Sequence, residues 1–469
     1  MTGPAPSRGA LVRRLRRDLG TVESYAALLG ILIGAGIFRV TSEAWALSGP
    51  SVILGYLFLA PAVLSTSVAY AVFLSTPLGR EPGGEYLHLS RTFGSPGLAF
   101  VGAWLKIISY VGALAFLTIA FADYVIPLFP GRLSAGAHRM PLALGGLVFF
   151  YLVHAFGVRW FGRLQVAMCA LLGLSIIVLV VPGLFALRPG NYRPFFTHGA
   201  GGFAACLPPL FFAYAGFESL AQTAGEVKDS TARLPRIFVK GILLTTAVFL
   251  LMSVVTFGVL PGADLRLSTA PMAEVAAVYL PAGGAAFVTL GAVMALATSL
   301  NATMMVPSRL GIILAEDHLI PRCLGAVDAR TGTPVIGLTL TLGAAVLLLV
   351  SGQVSLALNI AVFALVILYF LHSLALLFLP RFNPGLFGQV RLSLARGWQV
   401  AAAILSLAFM GGLIAVQVVK DLQVLQEFSL RERIAAQSIT SLELVVMWSG
   451  VGLVLYGMGR RTRRRTGGR

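Results

Sequence analysis

The chain has 469 residues, of which 57% are hydrophobic and 11% charged, and it carries a formal net charge of +17. A soluble protein of this size has no interior large enough to hide so much apolar surface, so a water-soluble globule is excluded and a bilayer must supply the missing surroundings. The basic excess alone excludes little, because nucleic acid and anionic lipid both attract Lys and Arg.

A helix crosses the hydrocarbon core with roughly 20 apolar residues. Twelve stretches of that kind follow one another at about 24–47, 51–75, 97–127, 140–157, 164–184, 202–222, 238–260, 282–314, 335–351, 355–379, 398–419 and 441–459. If the N-terminus is inside, the inside connections hold roughly three times as many Lys and Arg as the outside ones, the bias of a membrane protein with both termini cytoplasmic. Residues 1–23 and 460–469 are then basic cytoplasmic tails, and their "RRLRR" and "RRTRRR" face anionic headgroups. No folded domain outside the spans exists to organise nucleic acid, which is not an expected partner. The connections 76–94 and 315–334 mix turn residues with amphipathic pieces, the pattern of short helices in the interface or of ordinary polar loops.

The first span reads "LLGILIGAGIFRV" (28–40), with Gly34, Ala35 and Gly36 at its centre. Glycine weakens a helix by about 1 kcal/mol relative to alanine. In hydrocarbon, each freed backbone group costs several kcal/mol more unless something satisfies it. The sixth span, "CLPPLFFAYAGFESLAQTAGEV", has a second interruption at Ala215 and Gly216, with Glu218 just beyond. The interruptions head spans 1–5 and spans 6–10, and because five is odd the two halves must be inverted. Interrupted helices at matching places of inverted halves point to the binding site of a secondary transporter. Amides freed near Ala35 and Gly36 suit a carboxylate, and carbonyls near Leu32, Phe212 and Ala215 suit an ammonium; together they receive a zwitterion. Glycines that merely let helices pack closely are the alternative.

Of the charges that fall within spans, two are candidates for a role in transport. Glu218 is a candidate proton carrier or gate, or a structural latch that caps the freed amides of the first span and ties the two breaks together. Lys106, in "AWLKIISY", either snorkels or pairs two helices, or belongs to the inner pathway. Asp123 falls at the outer end of the third span, at the interface. Cys169, Cys206 and Cys323 are widely separated, and the six histidines stand nowhere at ligand spacing, so neither a disulfide nor a metal is expected. Ser219 and Ser299 have no His or Asp neighbour in sequence, which speaks against an intramembrane enzyme.

These pieces resemble the amino acid–polyamine–organocation superfamily of permeases. "IGAGIF" (33–38) looks like its first-span signature and "FFAYAGFESLAQTAGEVKD" (211–229) like its sixth span. "PGGEY" (82–86), "GVRWFGRLQ" (157–165), "LPRIFVK" (234–240) and "SLNATMMVPSRLGIILAEDHLIP" followed by "RTGTP" (299–334) match in the right order. The resemblance covers about 24–380 and implies an all-α, twelve-helix membrane protein. Its core would be a five-plus-five inverted repeat, about 24–184 and 202–380, with discontinuous helices 1 and 6. Two peripheral helices would follow in 381–459.

The resemblance further implies alternating access with an amino acid or related amine as the small-molecule substrate, in the plasma membrane. Carried over by motif, Leu32, Ile33, Gly34, Ala35 and Gly36 and the backbone of Phe212, Ala213, Tyr214, Ala215 and Gly216 bind substrate, with Phe212 or Tyr214 as an aromatic gate. Some proton-coupled relatives have a lysine in span 5 in place of a bound sodium ion; the equivalent position here is Leu172 or Gly173, neither basic. Thr298 and Ser299 offer hydroxyls to sodium beside first-span carbonyls, so a proton and a sodium ion both stand as coupling ions, with no other cofactor. The central segments of spans 3, 8 and 10 (109–121, 296–305, 356–370) contain no carboxylate. A small or apolar neutral amino acid therefore fits best, because a second cationic group needs an anionic partner in so dry a place. A cationic amino acid or polyamine would have to use Glu218, and a non-transporting sensor on the same scaffold is the other alternative.

Overall fold

The computed structural model describes residues 11–268, 271–281, 283–352, 354–428, 433 and 440–465. Helices dominate: α1 (Thr21–Ser48), α2 (Val52–Leu74), α3 (Gly84–Phe93), α4 (Pro96–Val125), α5 (Ala135–Ala155), α6 (Val158–Gly183), α7 (Gly199–Ala213) and α8 (Ser219–Gln222). There follow α9 (Ser230–Val259), α10 (Gly262–Leu267), α11 (Pro271–Tyr279), α12 (Gly284–Glu316), α13 (Val335–Val350), α14 (Val354–Phe382), α15 (Pro384–Phe387), α16 (Arg396–Glu427) and α17 (Ser441–Arg465). Among the described residues nine stretches are long and apolar enough to cross a membrane, and α7, α13 and the Ser441–Gly457 part of α17 are shorter apolar helices. The chain is an all-helical, polytopic membrane protein.

Polar punctuation sets where these helices begin. The amide of Gly20, ahead of α1, donates to the Glu23 carboxylate at 2.9 Å, which satisfies an orphan donor and places a negative charge at the positive end of the helix. Ser95 caps α4, with Pro96 at its first position.

Burial separates centre from rim. The apolar windows in Thr21–Phe38 and Val40–Leu74 are 71% and 72% buried, against 17% for α5 and for α16. Around α1 pack α6, α7, α9 and α12, while α4 lies between α12 and α14. The rim exposes Phe149, Leu152, Ile177, Val181, Leu405 and Val446, side chains that only a lipid environment can cover.

One expectation needs correction, and a second gains detail. The 76–94 connection does contain a helix, α3, but it does not lie in an interface. Its residues Gly84–Ser90 are buried, and it packs on α4 and α14. It goes inside because it carries Glu85 and His88, whose partners sit on neighbouring helices. The sixth span stops being a helix at Ala213 and resumes only as the single turn α8, because the chain from Tyr214 to Glu218 is a series of turns.

Residues 11–20 cross the face where α1 begins. Leu19 forms a parallel bridge to Val227: its amide donates to the Glu226 carbonyl at 3.0 Å, and its carbonyl accepts from the Lys228 amide at 2.9 Å. Along the same segment, Arg14 reaches the Val327 carbonyl and Arg17 that of Arg80. The amide of Leu11 bonds to the Glu316 carboxylate.

Candidate functional site

Both broken helices meet at one place. In α1 the break is at Gly34 (φ −37°, ψ −114°), one residue before the centre read from sequence. A Cβ on Gly34 would lie 1.6 Å from the Ser299 Oγ of α12 and 2.9 Å from the Ala295 carbonyl oxygen. One on Gly36 would lie 2.6 Å from Ala213 Cα at the end of α7. The second break turns on Gly216, whose φ of 105° belongs to the region that side chains rarely adopt. Neither break leaves room for a side chain, and a helix that restarts after a kink leaves its first amides without an intrahelical partner.

Between the breaks lies a cavity of about 50 Å³. Its described lining includes Ile31 and Gly36 of α1, Phe212, Ala213, Ala215, Gly216 and Glu218 of the second break, and Ser299 and Thr303 of α12. Ser109, Tyr110, Ala113 and Leu117 of α4 and Ala361, Val362 and Leu365 of α14 complete it. Leu32, Ile33, Gly34 and Tyr214 are not among the described lining residues, and Ala35 follows the break. Of the two aromatic candidates, Phe212 faces the cavity, its ring edge-on to Phe116 at 6.0 Å. Tyr214 points the other way, its hydroxyl 3.2 Å from the Tyr56 carbonyl oxygen and 3.1 Å from Thr246 Oγ1.

Glu218 is wholly buried. One carboxylate oxygen accepts from the Tyr110 hydroxyl at 2.5 Å, and the other accepts from the Tyr369 hydroxyl and from the Gly216 amide at 3.1 Å. It therefore caps its own break and ties it to α4 and α14; no bond to the amides of α1 is found among the described residues. The reason is geometric: Ala213 already abuts Gly36, and the Gly216 turn carries Glu218 off toward the other wall.

Lys106 does not snorkel. It is 1% exposed, and its ammonium lies 2.8 and 2.7 Å from the two oxygens of Glu85 on α3. Glu85 also accepts from the Tyr70 hydroxyl at 2.5 Å and from Gln222 Nε2 at 2.9 Å. This cluster joins α2, α3, α4 and α8. The Lys106 ammonium sits 5.5 Å from the ring centre of Tyr110, the residue that holds Glu218.

Sequence spacing missed further buried pairs. His88 and His372, read as scattered, share a hydrogen bond of 2.8 Å. Arg309 and Glu226, both wholly buried, pair at 3.1 Å next to the Leu19 bridge. Asp123 pairs with Arg139 at 2.7 Å in a partly exposed bridge. No group of three or more metal-binding side chains occurs among the described residues.

Thr298 and Ser299 do meet carbonyls of the first helix, and they donate to them. Thr298 Oγ1 is 2.9 Å from the Gly30 oxygen, and Ser299 Oγ is 3.2 Å from the same atom. From α6 the residue that reaches this region is Gln165, not Leu172 or Gly173. Its Nε2 donates to the carbonyls of Ala26 and Thr298, both at 3.2 Å, and its Oε1 accepts from Asn301 at 2.8 Å. Leu172 is a buried core residue.

Comparison with known proteins follows the same lines. Over 344 residues the chain is 25% identical to a branched-chain amino acid permease of Bacillus subtilis, covering 69% of this chain and 72% of that one. A methylthioribose transporter of the same organism is 24% identical over 338 residues, with the same coverages of 69% and 72%. Asc-type amino acid transporter 1 of Mus musculus is 28% identical over 408 residues, which is 81% of this chain and 73% of the relative. The amino acid permease family matches residues 19–431, from the bridge at Leu19 past the end of α16, and the chain belongs to that family.

Proposed function

We propose that this permease moves a neutral amino acid across the plasma membrane by alternating access, on a twelve-span, five-plus-five inverted-repeat scaffold with both termini cytoplasmic. The observation that carries the proposal is the cavity held between the two breaks, with Gly36 on one side and Ala213–Gly216 on the other. Amides at the start of the second half of α1 receive the substrate carboxylate. Carbonyls at the end of α7 and at the end of the first half of α1 receive its ammonium. A zwitterion brings both charges and needs no charged side chain. Glu218 is the one carboxylate among the described lining residues, and its oxygens are engaged by Tyr110, Tyr369 and the Gly216 amide. That favours a neutral substrate over a cationic amino acid or polyamine. A proton at Glu218 or a sodium ion near Thr298 and Ser299 supplies the driving force.

Purified protein in liposomes preloaded with unlabelled amino acids tests this by counterflow of labelled ones, with and without sodium and a pH gradient. Neutral amino acids should enter, and Gly36→Leu, which drives a side chain into the backbone of α7, should abolish entry. Glu218→Gln should remove any dependence on the pH gradient. Substrate binding with no flux under every condition would make the protein a sensor instead.

A further inference from the structure

The lining of the cavity bears few polar side chains, and all but one of those described are committed. Ser109 Oγ donates to the Ala361 carbonyl at 2.7 Å, Ser299 Oγ to Gly30, and Glu218 accepts three bonds. Thr303 is the exception: it lines the cavity and is 2% exposed, yet its hydroxyl has no partner among the described residues. Thr92 Oγ1 and Thr245 Oγ1 are also buried without a partner among the described residues, but neither residue lines the cavity. Thr246, Thr289 and Thr341 each donate to the carbonyl four residues back at 2.9 Å. An unpaired hydroxyl in apolar surroundings is costly, and a ligand group that pairs with it recovers that cost. Around Thr303 the wall is apolar: Ala113, Leu117, Val362 and Leu365. This leaves room for a short side chain and one hydrogen bond.

We propose that Thr303 sets substrate specificity, and that the preferred substrate is a short neutral amino acid with a hydroxyl or thiol on its β-carbon. The proposal rests on reading the cavity as an amino acid site. With the substrate's charges at the breaks, its side chain points toward α4, α12 and α14, and the β-substituent meets Thr303 Oγ1. A same-sized apolar side chain fits the space but leaves that hydroxyl unpaired.

Two near-isosteric pairs test this in the counterflow assay: serine against 2-aminobutyrate, and threonine against valine. The hydroxyl member should be favoured about tenfold in kcat/KM, the factor that one net hydrogen bond supplies. Thr303→Val, which keeps the shape, should erase the preference with the loss falling on serine and threonine, and Thr303→Ser should restore it. If Thr303→Val does not reach the membrane, the wild-type ratios and Thr303→Ser still decide. Equal transport within both pairs, or an unchanged ratio in Thr303→Val, overturns the assignment and leaves neutral amino acid transport standing. Absence of flux for all four overturns both.

Discussion

At Lys106 the chain buries an ammonium about ten residues into a membrane helix and answers it with Glu85 from a different segment. Removing one member of such a pair strands a charge, whereas removing both does not. Lys106→Met should therefore destabilise the protein by about 3–5 kcal/mol, seen as a large drop in thermal midpoint in detergent. The double variant Lys106→Met/Glu85→Gln should recover much of that loss. Equal midpoints for the single and double variants would show that the charge itself does not matter. Gly216 makes the opposite demand, for the absence of a side chain. A Cβ there would impose strain at φ 105° and lie 2.9 Å from Ile31 Cγ1. Gly216→Ala should cut counterflow by tenfold or more, the cost of a few kcal/mol of backbone strain. Wild-type flux in that variant would deny the turn its role.

Among elements, the contact of α1 with α12 is tight, since Gly34 leaves no space before Ser299. Gly34→Ala should disable transport, and Ser299→Gly in the same chain should restore part of it, because the clash is with that side chain. No restoration would place the fault in the Gly34 backbone instead. The strap of residues 11–20 offers a second test. Cysteines at Leu19 and Val227, in a background lacking the three native ones, should accept a short thiol cross-linker and lose counterflow. Full flux in the cross-linked protein would mean that the strap never parts from Val227 during transport. The first break was legible in sequence because glycine and hydropathy are local signals. The second break was legible too, at Ala215 and Gly216, but not its extent from Tyr214 to Glu218, because an apolar run looks alike whether wound or turned. The partners of Glu218 were also out of sight: Tyr110 and Tyr369 are 108 and 151 residues away, and only the packing of α4 and α14 brings them in. The same holds for His88 and His372, which are 284 residues apart.

Across the whole molecule apolar side chains lie outside as well as inside: Leu, Ile, Val and Phe stand exposed on the rim around an apolar core that also holds ion pairs such as Glu226–Arg309. The apolar surplus is a matter of composition, so the fold class could be read before any helix was placed. The orientation drawn from the Lys and Arg bias predicts that cysteines introduced at Thr2 and Gly468 react with a membrane-impermeant maleimide in inverted vesicles and not in intact cells. Labelling from outside at either end would reverse the topology. The contact of Gly36 with the backbone of Ala213 also bears on how such a protein diversifies. The close approach leaves no room for an added atom, which would push the two breaks apart, and under the proposed function it would grip only what all amino acids share. Novelty is confined to the far wall, so a library randomised at Ala113, Leu117, Thr303, Val362 and Leu365 can move between substrates while every member keeps the same grip.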